Sequence, residues 1–155
     1  MPNSIGAAPG NLLSNGDFED GLNEWEWFGI GNDVASLSND TPSGTGNSAD
    51  LDIVDALGLP WLAQDVDISS LSVDDVVTLT ASVREVRQFQ PEFDAWIAAQ
   101  IFMLESSDSG QILASGFAFF TNPNWESQSF GVTVPPNANV ARVLFTPQDP
   151  SFGVG

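Results

Sequence analysis

Asn11 to Trp27, NLLSNGDFEDGLNEWEW, is the stretch from which the rest of the chain is read. Leu12, Leu13 and Phe18 are apolar, Asn15-Gly16 is a strong turn dipeptide, and Glu19-Asp20-Gly21 makes a second polar break before Leu22 and Trp25. A strand start, a turn and an aromatic anchor are expected within this one short span.

The sequence beyond it keeps the same character. Between Val73 and Val86, Val77, Leu79, Ala81 and Val83 fall on one face, and Thr78, Thr80, Ser82 and Arg84 on the other. That is the period of two of a half-buried strand. Trp96 to Leu104 repeats it, with Ile97, Ala99, Ile101 and Met103 opposite Trp96, Ala98, Gln100 and Phe102. In Leu51-Asp52-Ile53 the alternation sends Leu51 and Ile53 inward and Asp50 and Asp52 outward. Further strands are expected at Ile112 to Phe120, Ser129 to Val134 and Val140 to Phe145, separated by Ser-Asp-Ser-Gly, Asn-Pro-Asn and Pro-Pro-Asn breaks. No helical period persists, and neither a second domain nor an internal repeat is visible. The pattern predicts an all-β protein, an antiparallel two-sheet β-sandwich.

Composition narrows the function. The chain has 155 residues, 42% of them hydrophobic, which is one domain's worth with enough apolar surface for a core. It has no Cys and no His, so thiolate chemistry and the commonest general base and metal ligand are missing. Against 21 acidic residues stand Arg84, Arg87 and Arg142, a formal net charge of -18. Phosphate backbones and anionic lipid would repel such a polyanion, so nucleic acid and membrane are not expected partners. The acids are dispersed along the chain, as in a solvated surface adapted to a marine or otherwise saline exterior. No apolar run approaches the ~20 residues needed to span a bilayer. The start, MPNSIGAAPG, has neither the basic region nor the apolar core of a secretory signal.

The string N-L-L-x-N-G-x-F-E-x-G with a nearby Trp resembles the opening of carbohydrate-binding modules of families 4, 9 and 22. Those are galactose-binding-like jelly rolls attached to many secreted polysaccharide hydrolases. Three later pieces are similar to the same family in the same order: Ser43 to Val54, Ala63 to Val66, and W-x4-F-x-V-x-V-P from Trp125 to Pro135. The resemblance implies a jelly roll, with Trp25 and Trp125 at structural positions. It also implies a structural calcium ion held in part by Glu19, and on residue chemistry Asp17, Asn47 and other oxygens of the Ser43–Asn47 loop could supply further hard ligands. Turn-stabilising Asp and Asn is the other reading of those residues. Family modules usually end in a strand carrying an Asp-Asp pair beside the first strand. Here the corresponding residues are Ser151-Phe152-Gly153-Val154-Gly155, so that strand is expected to be absent and the sheet flank open.

Sugar-binding faces stack flat rings on the apolar side of a pyranose and surround them with hydrogen-bonding groups. Trp61, beside Pro60, and Trp96, on one strand face with Gln100, serve equally as ligand or interface contacts or as packing. Phe93 is a further aromatic candidate, and Arg84 and Arg142 are candidate rim donors that ion pairing would also explain. Glu85 with Glu92, or Glu24 with Glu26, could be nominated as catalytic pairs, but nothing distinguishes them from solvated acids, and no enzyme is expected.

Two functions follow. One is a non-catalytic outer-surface subunit, a decoration or cement protein of a virion or similar assembly. In that role the Gly/Pro/Ala/Asn arm Met1 to Gly10 would be held against a neighbouring chain of a homo-oligomer, with a trimer the first expectation. The other is a glycan-binding module of a secreted polysaccharide-degrading enzyme. Both place the chain outside the cell or on a virion surface.

Overall fold

The computed structural model describes residues 11–29, 34–52, 60–84 and 96–148. Among these lie β1 (Glu26–Phe28), β2 (Val34–Ser38), β3 (Ser48–Asp52), β4 (Trp61–Asp67), β5 (Val76–Val83), β6 (Trp96–Leu104), β7 (Ala114–Phe120), β8 (Glu126–Thr133) and β9 (Val140–Gln148), with no helix. All pairings are antiparallel. One layer is a five-stranded sheet in the order β1-β4-β9-β6-β7, and the other consists of two separate pairs, β2-β3 and β5-β8. The protein is an all-β sandwich of jelly-roll type.

Alternation fixes which residues form the core. Leu62, Ile101, Met103 and Phe120 of the five-stranded sheet are at most 1% exposed and meet Leu79 of β5 and Val132 of β8. Removing such side chains from water is the main stabilising term, about 25 cal/mol per Å² of apolar surface. The inner face of β7 is built from Ala114, Gly116 and Ala118, small enough for β8 to press against it. A Cβ on Gly116 would stand 2.7 Å from Val132 Cγ2 and 3.2 Å from a Phe130 ring carbon.

The opening stretch differs from expectation, because Leu12-Leu13 is not a strand. Gln64, buried in β4, holds Ser14 by both backbone groups. The Ser14 N–H donates to Gln64 Oε1 and Gln64 Nε2 donates to the Ser14 carbonyl, each at 2.8 Å. A side-chain amide thus supplies the bonds a ladder would have made. Asn15 then closes the turn from a left-handed backbone (φ 50). Its amide donates to the Gly21 and Asn23 carbonyls at 3.0 and 2.8 Å, and its own carbonyl accepts Trp25 Nε1 at 3.0 Å. Trp25, 8% exposed, packs between Phe18 and Phe145. The first strand comes only afterwards, at Glu26.

β9 runs beyond Phe145 through Pro147, where a central strand should not tolerate proline. The pairing explains it: β4 follows β9 only as far as Phe145, while β6 continues to Gln148, so Pro147 has a neighbour on one side alone. β5 has β8 on one edge and no strand on the other among the described residues. Along that free edge a groove of about 520 Å³ runs between Leu12-Leu13 and β5, floored by Val66, Ile101, Ala141 and Val143. The arm Met1 to Gly10 lies outside the described residues.

Candidate binding face

Strand register sorts the outer surface of the five-stranded sheet into rows. Phe28 stands opposite Trp61 at the β1 edge, and their ring centroids are 5.0 Å apart. In the middle Gln100 lies between Leu144 of β9 and Phe117 of β7. At the β7 edge Phe117 and Phe119 form a second tilted pair with centroids 4.9 Å apart, 58% and 50% exposed. At about 4.8 Å between neighbouring strands, the two aromatic pairs are separated by roughly 14 Å of sheet. Between them Ala63, Leu144, Thr146 and Ala98 are buried, and Gln100 is half-buried.

Exposed Phe rings are costly to leave in water and are not needed by the core, which is why such a patch marks a contact surface. Beside Phe28 and Trp61 a cleft of about 310 Å³ is lined by Glu24, Glu26, Ala63, Asp65 and Arg142. Arg142 Nε and Nη2 donate to the two oxygens of Asp65 at 2.7 and 2.9 Å, and Nη2 also donates to the Ser107 carbonyl at 2.9 Å. The bidentate bond to Arg142 holds the Asp65 carboxyl below its ordinary 3.8, and Asp65 in turn raises the Arg142 guanidinium.

The residues singled out from the sequence divide between this face and other places. Trp61, Gln100 and Arg142 share the face. The Trp96 backbone opens β6 opposite Gln148, while its side chain, like Phe93 altogether, lies outside the described residues. Arg84 sits elsewhere, at the seam between the β5-β8 and β2-β3 pairs. There it forms an ion pair with Asp40 and stands 5.8 Å above the Trp125 ring, whose Nε1 donates to Asp40 Oδ1 at 3.4 Å. Phe28, Phe117 and Phe119 were not visible as site residues. In β7 the face Ser115-Phe117-Phe119 is as aromatic as the face that ends in Phe120, so alternation alone cannot say which is wet.

Glu19, Asp17 and Asn47 do come together. Glu19 Oε1 accepts the Asn47 backbone N–H at 3.1 Å, Asn47 Nδ2 donates to the Phe18 carbonyl at 3.3 Å, and Asp17 Oδ1 accepts the Glu19 N–H at 3.3 Å. Gly46, at φ +86, passes so close that a Cβ there would lie 2.8 Å from Glu19 Oε1. The contacts tie the first turn to the 41–47 loop. Among the described residues no group of three or more Asp or Glu side chains converges, and the other oxygens here are amide, hydroxyl and backbone ones.

No family model and no curated protein matches the chain. Solved structures do. The enzymatically active domain of tailspike protein 4 of bacteriophage CBA120 superposes with a TM-score of 0.65 at 16% identity, over 88% of this chain and 19% of that one. The second family-22 carbohydrate-binding module of Paenibacillus barcinonensis Xyn10C, a xylan-binding domain, superposes with a TM-score of 0.51 at 14% identity, over 86% of this chain and 81% of that one. What is shared is the fold. This chain spans about a fifth of the tailspike and most of the module.

Proposed function

We propose that the protein is a non-catalytic glycan-binding jelly roll of the family 4, 9 and 22 type, acting outside the cell or on a virion surface. The observation that carries this reading is the outer face of the five-stranded sheet. Two aromatic pairs, Phe28–Trp61 and Phe117–Phe119, in which all but the half-buried Trp61 are exposed, flank a strip of sheet that carries Gln100. Rings stack on the apolar side of sugars and the amide bonds hydroxyls, so a short oligosaccharide laid across the strands would meet both. The xylan-binding neighbour supports the reading at the level of fold.

Affinity electrophoresis against plant, algal and bacterial glycans tests it. The unmutated chain should be retarded by at least one. Phe117→Ala should abolish the retardation while leaving the melting temperature within a few degrees, since an exposed ring contributes little to stability, and Trp61→Ala, at a half-buried ring, should abolish it in a chain that melting curves show to be folded. No retardation by any glycan would overturn the reading.

A second reading, an outer-surface decoration subunit of a virion, takes its support from the tailspike likeness. It predicts a homo-oligomer in solution, a trimer first, by sedimentation; a monomer at all concentrations would remove it.

A further inference from the structure

Among the described residues the lining of the Phe28–Trp61 cleft contains one cation, Arg142, and its charge is paired with Asp65. Its two Asp65 bonds use Nε and Nη2, and Nη2 is shared with the Ser107 carbonyl. The remaining charged lining is Glu24 and Glu26, so the cleft presents two further carboxylates beside one ion pair and is net negative. An incoming uronate or sulfate would meet repulsion and a guanidinium whose charge Asp65 already balances. An uncharged sugar meets no such repulsion, because carboxylates accept hydrogen bonds from its hydroxyls.

We propose that Asp65 is a specificity-determining residue: by holding Arg142 in a bidentate pair it closes the cleft to acidic glycans and leaves it open to uncharged ones. This rests on the glycan reading above and names the substrate class of the same face. Discrimination of this kind is made by withholding a partner from the wrong ligand, and the whole-chain charge of -18 adds to it at long range.

The test is gain of function. Affinity electrophoresis compares a neutral xylan with polygalacturonate, in chelator so that no divalent cation bridges acid to acid. The unmutated chain should be retarded by the xylan and not by polygalacturonate. Asp65→Asn keeps the size of the side chain and removes its charge, freeing Arg142. It should bind polygalacturonate on the order of tenfold tighter, and Asp65→Asn/Arg142→Gln should lose the gain. Melting curves confirm that each variant is folded; should Asp65→Asn unfold, Asp65→Ser serves in its place. Polygalacturonate bound by the unmutated chain as well as xylan, or no gain in a folded Asp65 variant, overturns the proposal while leaving glycan binding standing. Retardation by neither polymer tells against the underlying reading, which the wider panel decides.

Discussion

The two layers of the sandwich solve the same problem differently. The five-stranded sheet is continuous from β1 to β7, each inner strand bonded on both sides. The facing layer is split into two strand pairs, and the seam between them is bridged by polar contacts of Arg84, Asp40 and Trp125. A continuous ladder holds every outward side chain at a fixed spacing, whereas among the described residues no backbone ladder joins the two strand pairs. The exposed aromatic pairs stand on the continuous layer, where a binding face can be presented without rearrangement.

The sharpest way to break this comparison is to remove core volume from each layer. Phe120→Ala, in the continuous sheet, should cost about 3–5 kcal/mol, measured as a shift of the urea midpoint. Leu79→Ala, on β5, should cost about 2 kcal/mol, near the low end of the usual range, because its side chain already borders the groove and its neighbours can relax. Equal losses would mean that the layers are equally rigid.

Next comes the tie at Glu19. If a calcium ion sits there, as the family resemblance implies, chelation removes about 2.7 kcal/mol for an ion present at a hundredfold its dissociation constant, and Glu19→Gln does the same. If the bond to the Asn47 N–H alone joins the loops, melting is indifferent to chelator, and Glu19→Gln, which keeps an acceptor oxygen, leaves stability nearly unchanged.

The smallest effect belongs to Asp65. Its pKa is depressed in the folded state, so the pair contributes above the ordinary carboxylate value and is lost as pH falls through the lowered one. Both side chains are about 30% exposed, which limits the contribution to at most about 1 kcal/mol. The stability difference between the unmutated chain and Asp65→Asn should therefore be present at pH 7 and vanish in strong acid. A difference that grows in acid would contradict the pairing.

The continuous sheet was the more legible layer. β6 falls on Trp96–Leu104 as its alternation requires, because a strand buried on one face writes its period into the sequence. β5 was legible for the same reason, with Leu79 inward. The opening turn was visible in Asn15-Gly16, but the clamp from Gln64 was not: it joins residues fifty apart, and no local pattern marks an amide that will replace a strand ladder. The candidate face was half visible. Trp61 and Gln100 could be named because each has unusual company, while Phe117 and Phe119 could not, because both faces of β7 are hydrophobic.

Among the described residues one edge of β5 has no partner strand, which bears on how the protein keeps company with its own copies. An unpaired strand edge is a template for another strand, and this one borders a groove floored by core residues, with Val76 61% exposed beside it. What keeps two edges apart is range. Like charges repel over about 10 Å in 0.1 M salt and only about 3 Å in 1 M, while strand pairing acts at contact. Near the isoelectric point, about 4.1, that repulsion disappears altogether. At low and moderate salt the acidity therefore acts as the colloidal guard of this edge, and precipitation on acidification should proceed by edge-to-edge growth of still-folded molecules.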